Sequence, residues 1–179
     1  MTKMVKEKMQ RIIIRALFYP TLLWTVFLGR ILKTRNWWNR VDDTLYLGAL
    51  PFPQDVPQLA ELGICAVINT CEEYPGPVKT YKKHAIDQLR IPVLDYCSPT
   101  AEQIENGLEY IQRQKERGNK VYVHCKAGRG RSATIALCWL IRSRDLSPSD
   151  AMEELIKKRK LVNRNLHHRK AVQEIYRQI

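Results

Sequence analysis

Cys125 heads the run Cys125-Lys-Ala-Gly-Arg-Gly-Arg131-Ser132, where one thiol is followed by two glycines and three cations. A thiol is a poor nucleophile and a thiolate a strong one, so the question is what would ionise it. A β-rich segment, Lys120–His124 (KVYVH), precedes the run, and a strongly apolar helical segment, Ser132–Arg142, follows it. The loop between them therefore sits at a helix N-terminus, where unpaired N–H groups carry partial positive charge and bind anions. Gly128 and Gly130 let the backbone curl so that successive N–H groups, including those near Ala127, face inward. Lys126, Arg129 and Arg131 add charge. Together these features are expected to lower the Cys125 pKa from about 8.5 to about 4–6 and leave a thiolate facing an anion cradle. Such a thiolate can attack phosphorus in line. Arg131, six residues on, offers a planar fork that can hold two phosphoryl oxygens into the transition state. Ser132 can donate a hydrogen bond to the sulfur as it leaves. His124, ending a buried strand, is expected to support the loop. An inert buried cysteine is the competing reading, and the coincidence of thiol, glycines, cations and strand–helix junction argues against it. The magnesium-using phosphate loop G-x-x-x-x-G-K-[ST] is absent, so neither metal nor cofactor is expected from this motif.

Transfer of a phosphoryl group to sulfur leaves an alkoxide that needs a proton. Asp95 lies two residues beyond the end of the segment Leu89–Val93, which reads as a strand. In a parallel sheet its carboxyl would lie at the same edge as Cys125, the edge where open α/β sheets place their sites. Asp95 is the expected acid; an N-cap or turn aspartate is the alternative. Cys71 follows the segment Ile64–Asn69 (ICAVIN), a second buried-strand candidate expected to neighbour the strand ending at Cys125. It could cap an oxidised Cys125 as a disulfide, or be ordinary core.

The elements that must position these residues alternate between strand and helix. Leu45–Leu47 reads as a first strand and Val56–Leu62 as a short helix stopped by Gly63. Glu72–Pro77 reads as a loop broken by Pro-Gly-Pro. Thr100-x-x-Gln103 is a capping box opening a helix whose apolar face is Ile104, Leu108 and Ile111. Ser147-Pro148 opens another helix, and a last one is expected through Lys170–Ile179. This pattern predicts an α/β fold: a mostly parallel central sheet flanked by helices.

The chain has 179 residues, 45% of them hydrophobic, enough for one domain and a short appendage. Its five cysteines follow no metal-ligand spacing, which suits a reducing compartment better than a disulfide scaffold. Net charge is +12, and residues 1–40 hold nine Lys/Arg against one acid. Nucleic acid or an anionic membrane could answer such charge. The residues among the charges favour the membrane, and no nucleic-acid partner is expected. Residues 12–32 are strongly apolar, with an uncharged run of 14 residues, Ala16–Gly29, flanked by Arg15 and Arg30. That run is shorter than the roughly 20 residues of a spanning helix, and Pro20 is expected to interrupt a helix. Trp24, Trp37 and Trp38 suit a membrane interface. Residues 1–38 are therefore read as a targeting or membrane-associating segment with an amphipathic helix, and residues 39–179 as the catalytic domain, with Asn39–Asp43 linking them. A buried helix packed on the domain is the alternative. The basic run Lys157–Lys160 reads as a solvated helix face or a second membrane contact.

His124-Cys125-x5-Arg131, with Tyr46-Leu-Gly48 and the Ser147-Pro148 helix, resembles the protein tyrosine phosphatase superfamily, dual-specificity type, over about residues 40–179. That resemblance implies the cysteine-phosphatase fold, a phosphocysteine intermediate, no metal, and Asp95 at the general-acid position. Leu17-Phe-Tyr-Pro-Thr-Leu-Leu23, Leu47-Gly-Ala-Leu-Pro51, Glu72-Glu-Tyr74 and His124-Cys-Lys-Ala-Gly-Arg129 narrow it to the mitochondrial phosphatases that act on phosphatidylglycerophosphate. The narrower resemblance implies that Glu72 and Tyr74 border the substrate pocket. It also implies that the product is phosphatidylglycerol, the precursor of cardiolipin, made at the matrix face of the mitochondrial inner membrane. One departure is Gly130, where animal members carry serine. An anionic phospholipid substrate, a membrane surface and a monomeric enzyme are expected. The alternatives are a dual-specificity phosphoprotein phosphatase, a phosphoinositide phosphatase, and a phosphate-binding protein without activity. The intact Cys125, Arg131 and Asp95 speak against the last.

Overall fold

A computed structural model describes residues 3–178. Its sheet is built from five strands: β1 (Trp38–Arg40), β2 (Leu45–Gly48), β3 (Ile64–Cys71), β4 (Asp87–Val93) and β5 (Lys120–His124). Their order is β1-β2-β5-β3-β4; β1 is antiparallel and every other pair is parallel. Alternating side chains separate two apolar faces, as strand geometry requires. Leu45, Leu47, Ala66, Ile68, Val121 and Val123 enter the larger core. Tyr46, Val67 and Tyr122 point the other way, into a smaller one.

The larger core is covered by α4 (Ala101–Glu116), α5 (Arg131–Arg144), α6 (Pro148–Lys158) and α7 (Lys170–Tyr176). α2 (Val56–Glu61) and α3 (Val78–Lys83) bury Val56, Leu59 and Tyr81 on the opposite face. Every residue of α5 from Arg131 to Ile141 is buried, so it is the central helix. Each large aliphatic side chain it buries stabilises the fold by about 1.5–3 kcal/mol. The Thr100–Gln103 capping box forms in both directions, at 3.1 and 3.0 Å. It contributes about 1 kcal/mol to the start of α4. Ser147 caps α6 in one direction, its Oγ accepting from the Asp150 N–H at 3.2 Å.

The mostly parallel sheet and its flanking helices match expectation. Three local readings change. The proposed linker at Asn39 begins inside β1, an edge strand whose Asn39 and Arg40 pair with Leu47 and Tyr46. α3 forms directly after the Pro-Gly-Pro break, where no helix was expected. Pro20 lies within a continuous α1 (Lys3–Val26) instead of ending it. A proline costs one backbone hydrogen bond; Ile14, Phe18 and Thr25, the buried residues of α1 on either side of it, dock on the domain and hold the two halves in line. A π-turn, Phe27–Ile31, follows α1. Lys8–Ile31, at 24 residues, is long and apolar enough to cross a membrane by length and composition. The last helix, expected through Ile179, ends at Tyr176 with Arg177 and Gln178 in a turn, and Ile179 lies outside the described residues.

Candidate active site

Parallel pairing brings the ends of β2, β3, β4 and β5 to one edge. Cys125 follows β5, and Cys71 closes the neighbouring β3. Asp95 lies just beyond β4, and Ala49-Leu50 lies just beyond β2. The loop 125–130 is fixed from several sides. Leu50 N–H donates to the Lys126 carbonyl at 3.2 Å, and Asn163 N–H donates to the Arg129 carbonyl at 2.9 Å. Gly128 takes φ +66°, and a Cβ there would stand 2.5 Å from the Gly48 carbonyl oxygen, so only glycine fits. Its N–H turns inward and donates to Cys125 Sγ at 3.3 Å.

Cys125 is buried, and burial pushes its thiol pKa up. The Arg131 charge, the Ser132 hydroxyl and N–H, and the Ala127 N–H outweigh this and bring it down to about 7. The expected fall to 4–6 is thus partly offset by the removal of water. The Ser132 hydroxyl is buried with the Cys125 sulfur as its neighbour and no other partner among the described residues. His124 is fully buried, stacks on Tyr122 at 5.7 Å and is kept neutral by burial, with a pKa lowered to about 3. Its Nδ1 lies 3.4 Å from the Cys125 carbonyl oxygen.

Arg131 is 3% exposed. Its guanidinium donates to Glu73 Oε2 at 2.8 Å, to the Val93 carbonyl at 2.7 Å and to Asp95 Oδ1 at 2.8 Å. Asp95 Oδ2 accepts from Lys126 Nζ, and the Asp95 N–H donates to Glu73 Oε1 at 2.7 Å. One Asp95 oxygen is thus held by the Arg131 fork and the other by Lys126. Cys125, Arg131 and Asp95, singled out from the sequence, thus lie together at one sheet edge, with Arg131 and Asp95 paired.

Glu72, expected to border the substrate pocket, and Arg129, expected to add charge to the cradle, both turn away from it. Glu72 pairs outward with Arg15 at 2.8 Å and Arg11 at 3.6 Å, both on α1; its neighbour Glu73 takes the inward place. The Arg129 side chain is exposed and donates to the Leu161 carbonyl at 2.9 Å, holding the loop to the segment after α6. Tyr74 stays at the rim, its hydroxyl donating to the Pro51 carbonyl at 3.0 Å; burial pushes its pKa up to about 12. Gly130 is unlike Gly128: a Cβ there meets only Arg169, at 3.9 Å, so a serine has room. Cys71 is buried in one cluster with Cys125, and burial pushes its thiol pKa up.

Sequence reasoning missed Glu73 and Arg159. Arg159 is 3% exposed and has no carboxylate partner among the described residues. Its guanidinium donates to the carbonyls of Gly128 and Ala127, both at 3.0 Å, to the Asn36 carbonyl at 3.2 Å and to Asn39 Oδ1 at 2.6 Å. By holding two loop carbonyls outward it leaves the loop's N–H groups facing in. The run Lys157–Lys160 is therefore not one solvated face: its lysines are exposed and its arginine is buried behind the cradle.

Phe18 of α1 is 1% exposed and packs in one cluster with Leu50, Cys71 and Cys125, with Leu22, Phe52 and Tyr74 at the edge. Lys126 Nζ also donates to Thr21 Oγ1 of α1 at 2.7 Å and lies 5.3 Å from the Phe18 ring centroid. The N-terminal helix thus packs into the cluster that holds the thiol.

Comparison with known proteins agrees with this geometry. A phosphatidylglycerophosphate phosphatase of Arabidopsis thaliana is 47% identical over 76% of this chain, which spans 42% of that protein's length. A second from the same plant is 37% identical over 91% of this chain and 73% of its own. The phosphatidylglycerophosphatase and protein-tyrosine phosphatase 1 of Mus musculus is 36% identical over 92% and 90%. Among solved structures, PTPMT1 superposes with a TM-score of 0.73 at 33% identity, covering 79% of this chain and 95% of that one. PTPMT1 in complex with PI(5)P gives 0.73 at 30% identity, covering 80% and 96%. Residues 45–178 match the family model for the dual specificity phosphatase catalytic domain, and the chain belongs to that family.

Proposed function

We propose that this chain hydrolyses the terminal phosphomonoester of phosphatidylglycerophosphate, giving phosphatidylglycerol, through a phosphocysteine on Cys125. The observation that carries the reading is the convergence of the Cys125 thiol, inward loop N–H groups, Arg131 and Asp95 at one sheet edge. The substrate phosphate takes the place of Asp95 on the Arg131 fork. The Cys125 thiolate then attacks phosphorus, the S–P bond forms and the bond to the glycerol oxygen breaks. Asp95, released from Arg131 and protonated, gives its proton to that oxygen. Water then attacks the phosphocysteine, Asp95 takes a proton from it, and the S–P bond breaks to release inorganic phosphate and the thiolate. Arg131 follows the equatorial oxygens through both steps. Glu73 and Arg159 position Arg131 and the loop.

The lipid substrate is supported by the activity named for the relatives and by an N-terminal segment that is both basic and apolar. That segment fits an anionic bilayer, and the family resemblance supports a reaction at the matrix face of the mitochondrial inner membrane. A phosphoinositide is the second reading, favoured by the PTPMT1 complex with PI(5)P. Under peroxide, Cys125 is oxidised to a sulfenic acid and Cys71 displaces water from it to form a disulfide. Phosphate release by the full chain from phosphatidylglycerophosphate, a phosphoinositide and a phosphotyrosine peptide, compared by kcat/KM, tests the substrate. Preference for the peptide would overturn the lipid reading.

A further inference from the structure

α1 lies across the active site on one face and offers the opposite face to solvent. Its buried and half-buried residues, Ile14, Phe18, Thr21, Leu22 and Thr25, recur at helical spacing and form one stripe. On the far side Met9, Ile12, Ile13, Leu23, Trp24 and Phe27 are 39–69% exposed. A soluble protein rarely leaves so large an apolar stripe uncovered, and one of this kind marks a docking surface. Beside it lie Lys8, Arg11 and Arg15, all exposed. An apolar stripe bordered by cations fits an anionic lipid surface. Residues Ala16–Gly29 carry no charge on any side, so the bilayer interior can take the Phe18 face as well as the exposed one.

Those two placements exclude each other. Docked on the domain, α1 buries only one face; inserted in lipid, it buries its whole girth but cannot lie over Cys125. What holds it down is replaceable. Phe18 and Ile14 exchange one apolar setting for another. Arg11 and Arg15 exchange Glu72 for lipid phosphates, and Lys126 exchanges Thr21 for the substrate. A groove of about 340 Å³ lies between α1, at Gln10 and Arg11, and the segment Pro92–Cys97.

We infer that α1 is a gate set by the membrane: it seals Cys125 with Phe18 away from lipid, and insertion into an anionic bilayer lifts it from the site. This rests on the membrane reading above and adds that lipid uncovers the catalytic thiol even for a substrate that is not a lipid. The test uses the full chain and p-nitrophenyl phosphate, with and without vesicles of phosphatidylcholine containing phosphatidylglycerol. Flotation of the protein with the vesicles is measured in parallel. The gate predicts that anionic vesicles raise both kcat/KM and the rate of Cys125 alkylation by iodoacetamide, severalfold or more. Phe18→Ala should raise both without vesicles and leave little further stimulation. The lost Phe18 burial weakens the closed state by about tenfold or more. Thr21→Val, which removes only the Lys126 tether, should do the same to a smaller degree and guards against misfolding of the first variant. Flotation with no rise in either rate overturns the gate and leaves the membrane reading standing. Absence of flotation overturns both.

Discussion

Replacing Arg159 by methionine removes the clamp behind the phosphate loop while keeping side-chain length. The wild-type guanidinium makes four hydrogen bonds, two of them to the loop carbonyls of Ala127 and Gly128. Leaving a buried carbonyl without its donor costs about 1–3 kcal/mol, so the two loop carbonyls account for about 2–6 kcal/mol. Against this, the buried cation has no carboxylate partner, and burial lowers its pKa. Removing it therefore returns part of a desolvation cost of several kcal/mol. The balance is a loss of about 2–4 kcal/mol, or roughly 5–15 °C in Tm for a chain of this size. Catalysis should suffer more than stability suggests, because freed carbonyls let the loop's N–H groups rotate out of the cradle. A displacement of 1 Å at a reacting centre can cost about 10²-fold. Thermal unfolding and kcat/KM for p-nitrophenyl phosphate, measured on Arg159→Met and Arg159→Lys, check this. The lysine variant should recover charge but not the two-carbonyl fork, and stay well below wild type. A methionine variant within threefold of wild type in kcat/KM would refute the clamp.

Iodoacetamide alkylation of Cys125 should rise about tenfold per pH unit and level off above a midpoint near 7, because a lowered thiol pKa puts the thiolate on the alkaline side. Ser132→Ala should move the midpoint up, and a midpoint near 9 in wild type would contradict the cradle's electrostatics. Asp95→Asn should lower kcat by about 10²–10⁴ on an alkyl phosphate and by less on p-nitrophenyl phosphate, whose leaving group barely needs a proton; equal losses would tell against an acid. Gly128→Ala should cost at least about 10²-fold in kcat/KM, since its Cβ would meet the Gly48 carbonyl at 2.5 Å. Gly130→Ser should stay within about threefold, and parity between the two variants would contradict the loop geometry.

The chemistry of Cys125 was legible because its parts are contiguous: strand end, thiol, glycines and helix start follow one another in the chain. Asp95 was legible because a parallel sheet sends the residues after each strand to one edge. Glu72 and Glu73 were not separable. The pairing register of β3 shifts between Asn69 and Cys71, so strand alternation cannot be carried past that point to say which glutamate faces inward. Arg159 escaped for a related reason. It is the C-cap of α6, with φ −141° and ψ 95°, and its extended backbone takes its side chain off the helical period of the lysines before it. Phe18 stood in a segment apolar on every side, where periodicity cannot tell the docked face from the free one. Pro20 made the same segment read as broken, and docking of Ile14, Phe18 and Thr25 overrode it.

The central claim, that the lipid's terminal phosphoryl group passes through Cys125, can be met directly. The full chain is mixed with phosphatidylglycerophosphate carrying a radiolabelled terminal phosphate, in anionic vesicles, and quenched in acid within milliseconds. The labelled peptide is then identified by mass spectrometry. Label is expected on Cys125 in the wild-type chain, and neither label nor phosphate release from Cys125→Ser. Label on another residue, or phosphate release by Cys125→Ser within tenfold of wild type, would contradict it.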